Sequence, residues 1–293
     1  MTDRATRRHG VPHRQNSDSA LRCALISEIF LASRIERMAP VALIALLTCA
    51  ATVLSPEGGP LFMVAGDPNG TMGVTIGFIG NVIDHTHVAE SAVRASLVYA
   101  VAWIPAAAIL GVTTIGEGVA SSSAQLSQAK GMPGGGAVIL ARVTPQAMAI
   151  AVVYLLSCGI AFAAKSAAYG IASGIASNVT WQIAFAVITT NCLLLCAIYF
   201  ASACVAAICR MPLLAIFLAL LLHIGPLLAY PRAYVTGTSP EIAWASPVVW
   251  LMHTCSLNMA GPTFAFGAMV AAGICIASVA LMYLACNRQE ACR

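Results

Sequence analysis

Between residues 182 and 206 the chain carries no Asp, Glu, Lys or Arg, and apolar runs of this kind recur along its length. Of its 293 residues, 59% are hydrophobic and only 9% are charged. A soluble domain has about 25% charged residues with which to face water. This chain has too few, so its apolar side chains face a non-aqueous solvent, and lipid is the one available. Backbone N–H and C=O groups find no water partners there and must pair within the segment. Continuous runs rich in Ala and Leu therefore predict helices, whereas a β-barrel needs short alternating segments.

About 20 apolar residues cross a bilayer. On that criterion the spans fall at 39–54, 97–116, 145–164, 182–206, 212–230 and 264–286, which makes six. Residues 1–20 are polar and basic, and predict a disordered tail with no cleaved signal peptide. Residues 21–38 carry Leu25, Ile26, Ile29 and Phe30 on one side and Ser27, Glu28 and Arg34 on the other, as an interfacial amphipathic helix does. Residues 21–293 then form a single transmembrane domain.

Basic residues set the orientation. With the N-terminus inside, the inner segments hold Arg4, Arg7, Arg8, Arg14, Arg22, Arg34, Arg37, Lys130, Arg142, Arg210, Arg288 and Arg293. The outer ones hold Arg94, Lys165 and Arg232, so both termini are expected in the cytoplasm. The net charge of +4 reflects this bias and no nucleic-acid surface. The outer segments are then 55–96, 165–181 and 231–263. Within them, "MGVTIGFIGNVI" (72–83) and "WASPVVWLMHTCSLNMA" (244–260) are too apolar for plain loops and too short to span, and suit interfacial or re-entrant helices.

Motifs for chemistry are scarce. No Asp, Glu, Lys or Arg lies in the middle third of any span, which argues against a proton- or sodium-coupled carrier. His223 and Asn191 are the polar residues inside spans that either line a substrate path or hold helices together. Asp84, His85, His87 and Glu90 gather outside, but histidines two apart diverge on a helix and no further ligand is evident, so no metal site is expected. The 11 cysteines include no CxxC pair, and Cys192 and Cys196 read as packing residues on one helix face. There is no HExxH, GxSxG or GxxxxGK[ST], so no catalytic residue or cofactor is assigned to this chain. Pro105 and Pro226 should kink their spans. Gly267, Ala271 and Cys275 form a small-residue stripe that suits a close helix contact, within the chain or in a dimer.

One polar island stands out. "EGVASSSAQLSQAKGMPGGGAVILAR" (117–142) is longer than a connection between spans requires. Its first half can extend the second span inward, "GMPGGG" breaks the helix, and "AVILAR" resumes an apolar helix that leads into the third span after Pro145. The outcome is a cytoplasmic hairpin that a partner could grip.

With Glu117, Leu126, Pro133 and Arg142 at these spacings, and "SPVVW" (246–250) before the last span, the chain resembles the membrane subunit of ABC-2 type ABC transporters. The nearest likeness is to small bacterial lantibiotic-immunity and drug-export permeases. Gly134, Gly135 and Gly136 stand where that family often has basic residues. The resemblance implies an all-α fold of six spans, an amphipathic helix before the first and a re-entrant stretch before the last. It implies a homo- or heterodimeric permease in the cytoplasmic membrane, paired with a separate ATPase that binds ATP and Mg. Glu117, Leu126, Met132, Pro133 and Arg142 would couple the two, and an amphiphilic substrate would leave the cell. Two rivals remain at this point. An ATP-independent transporter or channel would work without any ATPase, and an intramembrane enzyme would need a polar cluster for which His223 and His253 are the candidates.

Overall fold

The computed structural model describes residues 26, 30, 39, 42–47, 60–61, 80–81, 100, 102–116, 135–169, 181–209, 211–235, 245–254 and 261–291. Among the described residues the fold is helical apart from one two-residue antiparallel ladder, β1 (Pro60–Leu61) with β2 (Gly80–Asn81). Six helices carry the architecture: α1 (Ala102–Gly116), α2 (Gly135–Tyr169), α3 (Trp181–Cys209), α4 (Pro212–Val235), α5 (Pro247–Thr254) and α6 (Gly261–Ala291). Residues 42–47 of the first apolar run and residues 26 and 30 of the amphipathic stretch are also helical.

Three helices contain segments long and apolar enough to cross a membrane: Ile139–Ala164, Ala184–Cys209 and Phe264–Ala285. Ala102–Gly116 and Pro212–Pro226 are shorter apolar stretches. At 1.5 Å per residue, the 35 residues of α2 extend about 52 Å, against about 30 Å of hydrocarbon. Their outer faces suit lipid: Phe185, Leu213, Phe217 and Ile276 are all more than 60% exposed. The chain thus has the character of a helical membrane protein.

The centre of the bundle is α3, which is 61% buried along its span, against 33% for the α2 span and 22% for that of α6. It touches α2, α4, α5 and α6. Its tight link to α4 comes from Pro212, which opens α4 where a missing N–H costs nothing. Met211 caps the turn, its amide bonding to Cys209 O at 2.7 Å and its carbonyl accepting Ala215 N at 2.9 Å. So short a connection makes α3 and α4 antiparallel neighbours. Ala215, Ala219 and His223, four apart, are the buried stripe of α4. On α2 the buried set is Ala141, Arg142, Val143, Gln146, Ala147, Ile150, Tyr154, Ser157, Cys158 and Ala161, a helical period after the first turn, with Met148, Val152, Leu155 and Leu156 turned out.

Several expectations take a different form. α2 starts at Gly135 and runs unbroken through Pro145, so "AVILAR" and the third span are one helix. Pro145 removes the bond to the Ala141 carbonyl, and the continuing turns on both sides carry the helix across that gap. Beside the gap, the Thr144 hydroxyl donates to Leu140 O at 2.8 Å. The 72–83 stretch, expected as a helix, has Gly80 and Asn81 in the β ladder, because two residues pairing with Pro60–Leu61 satisfy their backbone groups across strands. The stretch before the last span does contain a short helix, α5, whose Pro247–Leu251 turn is buried. The small-residue stripe of α6 is used within the chain. A Cβ on Gly267 would come within 3.2 Å of the Trp250 ring and 3.5 Å of Thr190 Cγ2, and Ala271 is wholly buried.

Candidate functional site

The polar residues of the bundle interior meet where α1, α2, α3 and α4 converge. Close approach comes first. Gly111 of α1 lies so near α3 that a Cβ there would collide with the Tyr199 carbonyl oxygen and stand 3.0 Å from both Ala203 N and Ser202 Cβ. Without a side chain at 111, the two backbones approach, and residues one turn on can touch across the interface. Gly116, at the end of α1, is beside Pro212 of α4. Leu140, near the start of α2, shares an apolar groove of about 460 Å³ with Val279 and Tyr283, near the end of α6. The end of α1, the start of α2, the start of α4 and the end of α6 therefore gather at one end of the bundle.

Inward from that end, Thr114 of α1, Gln146 of α2 and Tyr199 of α3 form a buried hydrogen-bonded triad. Thr114 Oγ1 bonds to Gln146 Oε1 and, at 2.6 Å, to Leu110 O of its own helix. Tyr199 Oη reaches Thr114 Oγ1 and Gln146 Oε1, each at 3.3 Å. Thr114 is 2% exposed, Gln146 6% and Tyr199 fully buried. Each hydroxyl has one hydrogen to give and two acceptors within reach.

One turn further along α3, Ser202 meets His223 of α4, with Oγ 3.1 Å from Nε2. The Ser202 hydroxyl hydrogen goes to Ile198 O at 2.7 Å. With the hydroxyl hydrogen so placed, the imidazole donates from Nε2–H, and its tautomer follows the rotation of that hydroxyl. A nucleophile and its base would need the opposite polarity, with the hydroxyl donating to the ring. The geometry is that of a clasp between α3 and α4. Among the described residues, His223 Nδ1, Trp103 Nε1 and Ser246 Oγ are buried without hydrogen-bond partners.

Of the residues singled out in the sequence, Glu117, Leu126, Met132 and Pro133 lie outside the described residues, as do Asp84, His85, His87 and Glu90. Arg142 sits on α2 one turn before Gln146 and is 8% exposed, so it faces the bundle interior with the triad. Asn191 and His223 are both buried. The structure does not bring them together: Asn191 is 11 residues from Ser202, about 16 Å along α3. Cys196 is a packing residue between α3 and α2, its Sγ 3.9 Å from Ala147 O. Among the described residues no group of three or more His, Cys, Asp or Glu is placed to hold a metal ion.

Thr114, Gln146 and Tyr199 carry no charge, so nothing in the apolar runs around them marks them out in the sequence. A signal for two of them lay in their position. Thr114 is three residues before Glu117, and Gln146 four after Arg142, so each is an uncharged polar residue just outside the polar island, at the adjoining end of a span. Tyr199 carried none, since only the fold brings it to them. Comparison with protein families, curated proteins and solved structures found no match to this chain.

Proposed function

We propose that the chain is the membrane subunit of an ATP-driven ABC-2 type exporter. It forms a permease that works as a homo- or heterodimer in the cytoplasmic membrane, with both termini inside. A separate P-loop ATPase binds ATP and Mg and grips the 117–142 island. An amphiphilic substrate (a peptide, lantibiotic or drug-like molecule) is moved outward, and this chain performs no covalent chemistry. Six apolar segments support the topology: residues 42–47, α1, α2, α3, α4 and α6, with α5 as the re-entrant helix before the last span.

The observation that carries the reading is the Thr114–Gln146–Tyr199 triad. The two helices that bound the island, α1 and α2, are joined to each other and to the central helix close to where the island begins and ends. A push on 117–134 therefore reaches α3 instead of dissipating in a loose loop. A change of state also requires that the ATPase bind one arrangement more tightly than the other.

Co-purification of the chain with the P-loop ATPase of the adjacent reading frame tests this. A stable complex is expected, and joint replacement of Met132 and Pro133 should weaken it. An unchanged complex, or labelling that puts Lys130 outside the cell, would overturn the reading.

A further inference from the structure

We infer that Thr114, Gln146 and Tyr199 are the joint through which movement of the 117–134 connection is passed to α3, a switch built from exchangeable hydrogen bonds. This rests on the exporter reading above and names the device by which its coupling segment acts.

Two features distinguish the triad from ordinary helix glue. The first is its place. It joins the helix that enters the 117–134 connection, the helix that leaves it, and the central helix. Ser157, also buried on α2, bonds to Val153 O of its own helix and, among the described residues, to no other helix. The second is its hydrogen count. In one arrangement Thr114 donates to Leu110 O and Tyr199 donates to Gln146 Oε1, and the Thr114 and Gln146 oxygens, left with no hydrogen between them, must move apart. In the other Thr114 donates to Gln146 Oε1 and Tyr199 donates to Thr114 Oγ1. Every acceptor named is already within hydrogen-bonding reach, so the exchange strands no hydroxyl hydrogen in the dry interior. A small slide of α2 along α1 and α3 changes which arrangement is shorter. Such two-state contacts convert sub-ångström displacement into a discrete change. The contact at Gly111 keeps α1 and α3 moving as one, because their backbones touch there.

The test uses the full chain with its ATPase in nanodiscs. The readout is the change in amide hydrogen exchange of 111–116 and 196–203 when ATP and vanadate are added. The wild-type complex is expected to respond in both segments. Tyr199→Phe, Gln146→Leu and Thr114→Val should keep the complex and its ATP hydrolysis but cut that response about ten-fold. Thr114→Ser, which retains the hydroxyl, should restore it, and Ser157→Ala should leave it intact. Wild-type responses in Tyr199→Phe and Gln146→Leu would overturn the joint, as would equal loss in Ser157→Ala. If the wild-type chain binds no ATPase, the exporter reading fails by itself and the joint is judged on the chain alone. Gln146→Leu must then raise exchange in 111–116 and 196–203 together, and a rise confined to α2 would overturn it.

Discussion

The central helix α3 and the last helix α6 are both long and strongly apolar, yet they are used in opposite ways. α3 is mostly buried and holds Thr190, Asn191, Tyr199 and Ser202 in its interior faces. α6 is mostly exposed and turns Phe266, Met269, Ile276, Leu281 and Leu284 outward, while Gly267 and Ala271 face in. α3 is also the more apolar of the two. Apolarity by itself cannot have placed it at the centre, because in lipid a leucine gains nothing by leaving hydrocarbon for a protein interior. Small residues that permit close approach, and polar groups that find partners there, select the helix that takes the centre.

The sharpest way to break this contrast is to exchange the packing tolerance of two glycines. Gly111→Leu drives a side chain into the backbone of α3 at Tyr199 and Ala203. Its expected cost is about 3 kcal/mol or more, seen as loss of monodisperse protein in detergent. Gly273→Leu, on the open face of α6 with nothing within 4 Å of its added Cβ, should stay monodisperse and change stability by less than about 0.5 kcal/mol, measured by thermal unfolding in detergent. Equal damage at both would mean that α6 packs against something beyond the described residues.

Next in size is removal of the polar contacts of α3. Ser202→Ala leaves the His223 Nε2–H without its acceptor and should cost about 1–2 kcal/mol, measured by thermal unfolding in detergent. His223→Leu in the same background should recover part of that loss, because both halves of the pair are then apolar. For the triad, a double-mutant cycle of Tyr199→Phe with Gln146→Leu should return a coupling of about 0.6 kcal/mol, and not above about 1.7. A coupling near zero would remove the hydrogen bond as the link between α2 and α3.

The smallest effect belongs to α6. Ile276→Ala and Leu281→Ala trim side chains that are 70% and 51% exposed, and should shift the melting temperature in detergent by less than about 2 °C. A larger shift would point to a protein partner on that face.

These comparisons show which parts of the molecule are legible without a fold. The positions of α3, α4 and α6 were readable to within several residues, and α2 was readable apart from the ten residues it adds before Pro145, because a helix that meets lipid must be apolar over a length set by the bilayer. The break expected at "GMPGGG" lies mostly outside the described residues, and its last two glycines, Gly135 and Gly136, open α2. The joining of "AVILAR" to the third span was not readable, because Pro145 signals a boundary locally and only the continuing turns on both sides override it. The use of the Gly267–Ala271 stripe was likewise open: small residues announce a close contact but not which helix fills it.

By itself, then, the sequence determined that this chain is helical, lipid-facing and interrupted by a polar island, because backbone hydrogen bonding in hydrocarbon leaves no alternative. Which helix stands at the centre, and which polar residues meet there, was decided by tertiary structure alone. Thr114, Gln146 and Tyr199 are 32 and 53 residues apart along the chain, and no local rule of period, capping or charge connects positions so distant. Only the approach of α1 to α3 at Gly111, and of α2 beside them, brings three uncharged groups within reach of one another's hydrogens.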